Sequence, residues 1–297
     1  MRKNLHWGLK EAAMSEKQLS EGTGPKDGSD GRWTVENPWT QLKKYTDARI
    51  ALGRTGVSVP TKRHLDFLMS HACAKDAVQE EADFNSIASG IEVISGLDCV
   101  YLQSSVRDKG EYLARPDLGR KLSLDSRERL RSIPPSDNSG EYDLCIVLGD
   151  GLSFPAIRKN AVPFLKAFYS GYITLRGLRT GPVFLLKYAR VACADEIAAM
   201  LNAEAVLILI GERPGLTSPD SMGAYITYNP SPGVTKDDLR NCVSNIRPDG
   251  FPPEQAARKV QYLLQKAFSL KLTGVRLKDD EPGVIENSAQ EVLPDSP

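Results

Sequence analysis

Two short stretches hold residue types that could meet a ligand. Gly211-Glu212-Arg213-Pro214-Gly215 sets a carboxylate and a guanidinium between glycines and a proline. Asn241-Cys242-Val243-Ser244-Asn245-Ile246-Arg247-Pro248 adds a thiol among amide and backbone groups. A third stretch, Gly149-Asp150-Gly151-Leu152-Ser153, starts like the dinucleotide fingerprint G-x-G-x-x-G, but Phe154 stands where the third glycine belongs. No acid ends the strand that follows, which runs into Lys187-Tyr188-Ala189-Arg190. Nicotinamide binding is therefore weakly signalled, although backbone N–H groups and Asp150 could still hold polar ligand groups. Walker A, G-x-S-x-G and H-E-x-x-H sequences are all missing. All 3 histidines (His6, His64 and His71) precede these stretches, so the region has no imidazole base. Chemistry done here must come from a cofactor or from another chain. Backbone donors, apolar atoms, one carboxylate and one thiol suit a large, amide-rimmed, partly apolar ligand better than a phosphate. Cys242 has no base beside it in sequence, so a packed or ligand-touching thiol is favoured over a nucleophile.

The surrounding pattern predicts how these stretches are held. Ala205–Ile210 is an unbroken, β-branched-rich apolar run, as a strand buried on both faces reads. Further strands are expected at 100–103, 144–148, 183–186 and 224–228, and helices at 155–168, 194–203 and 254–272, the last ended by Gly274. Asp195 and Glu196 fall in a first helical turn, where carboxylates favour the dipole. This order predicts an α/β fold: a Rossmann-like parallel sheet with flanking helices. Ligands bind outside the carboxyl ends of such strands. The loops carrying Val191, Glu212 and Cys242 should therefore converge there, although by local pattern Gly211–Gly215 reads equally well as a plain surface turn.

Ahead of that domain, 38–99 reads as a mainly helical region. Pro60 suits the first turn of a helix over 60–78 whose Leu65, Leu68, Met69, Ala72 and Cys73 share a face. His64 and His71 lie on it without a carboxylate or thiol at metal-ligand spacing, and read as ordinary histidines. Arg115-Pro116-Asp117 before Gly119-Arg120 reads as a shaped loop leading into a helix. Residues 1–37 read as a disordered tail, since Leu19–Gly31 is nearly free of apolar groups. Leu5, Trp7, Leu9, Ala12 and Ala13 could form a short amphipathic docking helix within it. Residues 276–297 read as an acidic tail, which makes 100–275 the ligand-binding domain.

Lys+Arg and Asp+Glu number 38 each, a balance that gives no electrostatic case for nucleic acid or an anionic membrane as partner. The 5 cysteines are scattered, which argues against a disulfide framework or a structural zinc site. No apolar run approaches the roughly 18 residues a membrane span needs.

Five stretches occur in an order that carries a family resemblance: TDARIALGRTGVSVPT (Thr46–Thr61), YLARPDLGRKL (Tyr112–Leu122), DGLS (Asp150–Ser153), GERPGL (Gly211–Leu216) and CVSNIRPDG (Cys242–Gly250). Together they resemble the small (light) subunit of ethanolamine ammonia-lyase, over roughly residues 40 to 275. The resemblance implies an adenosylcobalamin-dependent lyase that converts ethanolamine to acetaldehyde and ammonia by a radical route. It implies a large subunit, a TIM-type barrel, that holds the substrate. The small subunit, inactive alone, closes over the cobalamin. By resemblance, the positions matching Val191, Glu212 and Cys242 contact the cofactor. The chain lacks D-x-H-x-x-G, with which another cobalamin class ligates cobalt, in keeping with a cofactor that retains its own benzimidazole. The resemblance also implies a bacterial cytoplasmic protein and leaves packaging in a protein-shelled microcompartment open. The competing readings are a free-standing nucleotide-binding Rossmann-type domain, resting on Gly149–Ser153, and an adaptor, resting on the tails.

Overall fold

Strand β2 (Tyr142–Gly149) lies inside a six-stranded sheet completed by β1 (Cys99–Gln103), β3 (Thr180–Lys187), β4 (Ala203–Gly211), β5 (Met222–Tyr228) and β6 (Asn241–Ile246). The computed structural model describes residues 37–46, 48–96, 98–133, 142–171 and 177–281. The expected docking helix near Trp7, and the tails up to residue 36 and from residue 282, fall outside the described residues.

The strand order is β1-β3-β2-β4-β5-β6. The first four run parallel, but β5 is antiparallel to β4 and β6 antiparallel to β5. The expected all-parallel Rossmann-like sheet is thus corrected to a mixed α/β sheet. The physical reason lies in the connections. A parallel return needs a crossover, usually a helix. The segment between β4 and β5 has no helix, and that between β5 and β6 has only a short 3-10 turn at Asp237–Leu239, so each strand folds straight back. The stretch around Cys242, expected as a loop, is the edge strand β6. Its polar, alternating burial hides it from an apolar-run search.

Among the described residues, seven α-helices accompany the sheet: α1 (Thr61–Gln79), α2 (Asn85–Ser95), α3 (Lys109–Ala114), α4 (Leu124–Arg131), α5 (Phe154–Ser170), α6 (Cys193–Met200) and α7 (Pro253–Leu270). Ser153 caps α5 by accepting from the Ala156 N–H, and Pro155 fits its first turn. Its Ile157, Ala161, Phe164, Leu165 and Phe168 are fully buried at helical spacing. With α2 and α7 they cover one face of the sheet, packing against Ile146, Leu148, Leu207 and Leu209. The other face packs Val147, Phe184, Val206 and Ile208 against Ala194, Ile197 and Ala198 of α6 and Leu130 of α4. Because α6 lies against β2 and β4, the same face of β5 and β6 is left more open, with Tyr225 half-buried and Cys242 exposed.

Helix α1 forms as expected, but its apolar side is not buried within the chain: Leu65, Leu68 and Met69 are 58%, 46% and 67% exposed. Helix α7 ends earlier than expected, with Lys271 rather than Gly274 as the left-handed cap (φ 54°). Asp279 and Asp280 then bond Lys259 and Tyr262 of α7. The described geometry divides into two units, residues 1–65 and 66–297. No described helix is long and apolar enough to cross a membrane.

Candidate functional site

From β2 the chain passes through α5 to β3 on one side of β2, then through α6 to β4 on the other. The order therefore reverses between β2 and β4, and their carboxyl ends form the crevice where such sheets bind ligands. Gly149 and Gly211 end these two strands.

The loops beyond them touch backbone to backbone. A Cβ on Gly211 would sit 2.1 Å from the Ser153 carbonyl oxygen, and one on Gly151 would sit 2.2 Å from that of Gly211. Gly151 also has a left-handed φ of 58°. The Leu152 N–H donates to the Gly211 carbonyl at 3.0 Å, and the Gly151 N–H donates to Asp150 Oδ1 at 2.8 Å. The near-fingerprint thus uses these two donors internally, in place of the polar ligand groups they were expected to hold.

Asp150 is fully buried and serves the frame rather than a ligand. Its carboxylate accepts from the N–H groups of Tyr188 at 2.9 Å and Ala189 at 2.8 Å. Burial pushes this carboxyl up to about 6, against the pull of those N–H donors and of Lys109. The loop after β3 is thereby hung from the loop after β2. Tyr188, with φ 57°, turns away from the crevice, and its hydroxyl donates to Glu81 at 3.0 Å. Tyr112 donates to the Ala189 carbonyl at 2.8 Å, and the Arg190 guanidinium lies 4.4 Å from the centre of its ring. The Arg190 N–H reaches the Gly119 carbonyl at 3.0 Å, where any side chain would crowd Arg190. Val191 is carried at the rim of this assembly, half-buried.

Glu212 is anchored on one side only. Its N–H donates to the Ser221 carbonyl at 2.9 Å. Its Oε2 accepts from the Ser221 hydroxyl and from the Asn245 N–H at 3.2 Å, which ties the loop after β4 to β6. Both side-chain bonds fall on Oε2, and Oε1 has no hydrogen bond among the described residues. Gly223 makes room for it, since a Cβ there would lie 2.9 Å from Oε1.

Val191, Glu212, Arg190, Arg213, Tyr225 and Tyr112 line one open cavity of about 420 Å³, floored by Ile210 and the glycine loops. Cys242 is not on its wall. It lies one strand further out, directly across from Tyr225 in the β5–β6 register. Desolvation against the sheet raises its thiol above the ordinary range, only partly opposed by a hydrogen bond with Tyr225. Tyr225 and Ser221 carried no signal in sequence, because cross-strand register and loop closure are set in three dimensions. Among the described residues no cluster of His, Cys, Asp and Glu could hold a metal ion.

The surface is thus shallow and one-sided: an apolar floor, a carboxylate with one open oxygen, and an arginine whose buried Nε has no partner. It can grip one edge of a flat, amide-bearing ligand, and no histidine lines it.

Residues 36–278 match the family model described as ethanolamine ammonia-lyase light chain (EutC). The chain is 47% identical over 245 residues to the ethanolamine ammonia-lyase small subunit of Pseudomonas fluorescens strain SBW25, covering 82% of this chain and 87% of that one. It is 45% identical over 252 residues to the protein so named in Azotobacter vinelandii strain DJ, covering 85% and 92%. The Pseudomonas putida strain W619 protein of the same name is 45% identical over 247 residues, covering 83% and 89%.

Proposed function

The chain belongs to the ethanolamine ammonia-lyase light-chain family, and on that premise we propose that it is the small subunit of an adenosylcobalamin-dependent ethanolamine ammonia-lyase. In this reading it covers one side of the cofactor, and a large subunit holds ethanolamine and completes the site. The observation that carries the reading is the one-sided anchoring of Glu212, bonded through Oε2 alone on the wall of an apolar-floored cavity at the switch point of the sheet.

The residues present fit such a group. A corrin carries amide side chains around an apolar macrocycle. Glu212 Oε1 accepts an amide N–H, Val191 gives apolar contact, and Arg190 can donate to an amide oxygen. Tyr225 and Cys242 extend the surface along the open sheet face. A cavity of about 420 Å³ takes one edge of so large a ligand and leaves the remainder to a partner. When bound, adenosylcobalamin supplies the one-electron chemistry that converts ethanolamine to acetaldehyde and ammonia. This chain's part is to bind, orient and exclude water. The free-standing nucleotide-binding reading is disfavoured, because the Gly151 and Leu152 N–H groups are already bonded within the fold. Assignment to the bacterial cytoplasm rests on the resemblance alone.

The test is co-expression with a large subunit. A stable complex that takes up hydroxocobalamin, read from its visible spectrum, supports the proposal, and failure to bind either partner or corrinoid sinks it. Glu212→Ala should weaken corrinoid binding by about tenfold or more, because it removes a charge-assisted hydrogen bond. Its unfolding free energy should fall by only about 1 kcal/mol, as expected for a half-exposed side chain. Equal losses in both would make Glu212 structural.

A further inference from the structure

A second cleft, of about 720 Å³, adjoins the first. Val191 lines one and the next residue, Ala192, lines the other. The walls of the second come from the turn after α3, from α4 and α6, and from the loop between β5 and β6.

Its charges do not cancel. Two of the three acids on its wall are already engaged. Asp117 is held by Arg115 at 2.7 Å. Glu196 takes Arg127 on one oxygen at 2.5 Å and the Leu122 N–H on the other at 2.9 Å. The third, Asp237, is 97% exposed and reaches only to 3.7 Å from Arg240, which Asp195 already holds. Three cations on the same wall, Arg120, Lys121 and Lys236, form no ion pair among the described residues. They come from two segments far apart in the chain, two from the 118–121 turn and one from the β5–β6 loop. Like charges brought together from distant parts of a chain repel one another, and a bound anion relieves the repulsion.

We propose that this cleft binds a phosphate group, with Arg120 offering paired planar donors and Lys121 and Lys236 acting as point charges. A tetrahedral anion can be met from several directions at once, as this arrangement requires. Two sources share that chemistry. One is the phosphodiester in the nucleotide arm of a corrinoid seated against Val191, which rests on the cofactor reading above. The other is a free phosphorylated small molecule, which does not.

The experiment uses the full chain in complex with a large subunit, as wild type and as Lys121→Gln/Lys236→Gln, with thermal unfolding to confirm that the variant folds. The probes are hydroxocobalamin, hydroxocobinamide (the corrinoid without the nucleotide arm) and inorganic pyrophosphate. If the cofactor supplies the phosphate, the variant binds hydroxocobalamin about tenfold more weakly and hydroxocobinamide unchanged. If the source is free, wild type binds pyrophosphate saturably, the variant about tenfold more weakly, and both corrinoids bind unchanged. Lys121→Arg/Lys236→Arg should retain wild-type behaviour in either case. Wild-type affinities in the glutamine variant for all three probes would overturn the proposal, as would equal weakening for both corrinoids with no pyrophosphate binding. A complex that takes up no corrinoid would count against the cofactor reading alone, and the pyrophosphate titration would then decide for or against the cleft.

Discussion

Gly211→Ala should damage both stability and ligand binding, and the structure says by how much. Gly211 does not have a left-handed φ, so alanine is free of dihedral strain there. The cost is steric. The new Cβ would lie 2.1 Å from the Ser153 carbonyl oxygen and 2.5 Å from that of Asp150. Both obstacles are backbone, and neither can swing aside as a side-chain tip would. The two loops must separate by about 1 Å before repulsion relaxes. That movement stretches the 3.0 Å bond from the Leu152 N–H to the Gly211 carbonyl. Overpacking of this kind costs about 1–3 kcal/mol, and a strained buried hydrogen bond about 1 kcal/mol more. The expected loss is about 2–4 kcal/mol, a large share of a typical domain's stability. Urea unfolding monitored by circular dichroism measures it, with Gly233→Ala as the control. Gly233 has φ 75° and nothing within 4 Å of its would-be Cβ, so only dihedral strain of about 1 kcal/mol is expected there. Since Glu212 follows directly, hydroxocobalamin binding by the complex should weaken as well. A Gly211→Ala protein as stable as wild type, with unchanged corrinoid affinity, would refute the close-approach argument.

Removing Arg240 should be more damaging than its position in a connecting loop suggests. It donates to both oxygens of Asp195 at 2.7 and 2.6 Å, both side chains being buried, and Arg240→Met strands that carboxylate. A loss of about 3–5 kcal/mol in urea unfolding is expected. Asp195→Asn/Arg240→Met should recover part of it, and a double variant worse than the single one would contradict the account. Asp150 predicts a pH dependence. Its carboxyl is raised by burial from 3.8 to about 6 in the folded state, so the fold holds a proton there that the unfolded chain releases. Its contribution to stability is therefore largest below the ordinary value and falls as pH rises through about 6, by about 3 kcal/mol in all. Wild-type stability minus that of Asp150→Asn, followed from pH 4 to pH 8, should decline and then level off; a flat difference would remove the effect. Cys242 is exposed, but its thiol is raised above the ordinary value, chiefly by desolvation, so its alkylation by iodoacetamide near pH 7 should be slow. Corrinoid loading of the complex should slow it further, and unchanged labelling with and without the ligand would count against Cys242 as a contact.

The apolar run at Ala205–Ile210 and the glycines at Gly149 and Gly211 were legible one residue at a time. A doubly buried strand needs continuous apolar side chains, and a backbone-to-backbone approach needs the absence of Cβ. Four helices, α1, α5, α6 and α7, left at least part of their pattern in the chain, whereas the helix expected to follow Arg115-Pro116-Asp117 is only a short 3-10 turn at Leu118–Arg120, and the direction of β5 and β6 left no pattern. An apolar segment carries no sign of its sense, which is set by whether a helix fits in the connection before it. The strand character of Asn241–Ile246 was hidden for a related reason. An edge strand with one open face keeps polar residues, and its hydrogen bonds come from β5 rather than from its own side chains.

The same division holds at the candidate site. Sequence alone determined that Glu212 sits on a stiffened loop after a central strand, that no histidine lies in this part of the chain, and that GERPGL and CVSNIRPDG carry a family resemblance. Those are properties of residue type and order. Only the tertiary structure decided that Asp150 belongs to the frame, that Glu212 is bonded through Oε2 with Oε1 open, that Tyr225 stands between the cavity and Cys242, and that Arg120, Lys121 and Lys236 share one cleft. Each depends on distances between segments far apart in the chain. Such distances follow from strand register and helix packing, to which many residues contribute together, and no local pattern records them.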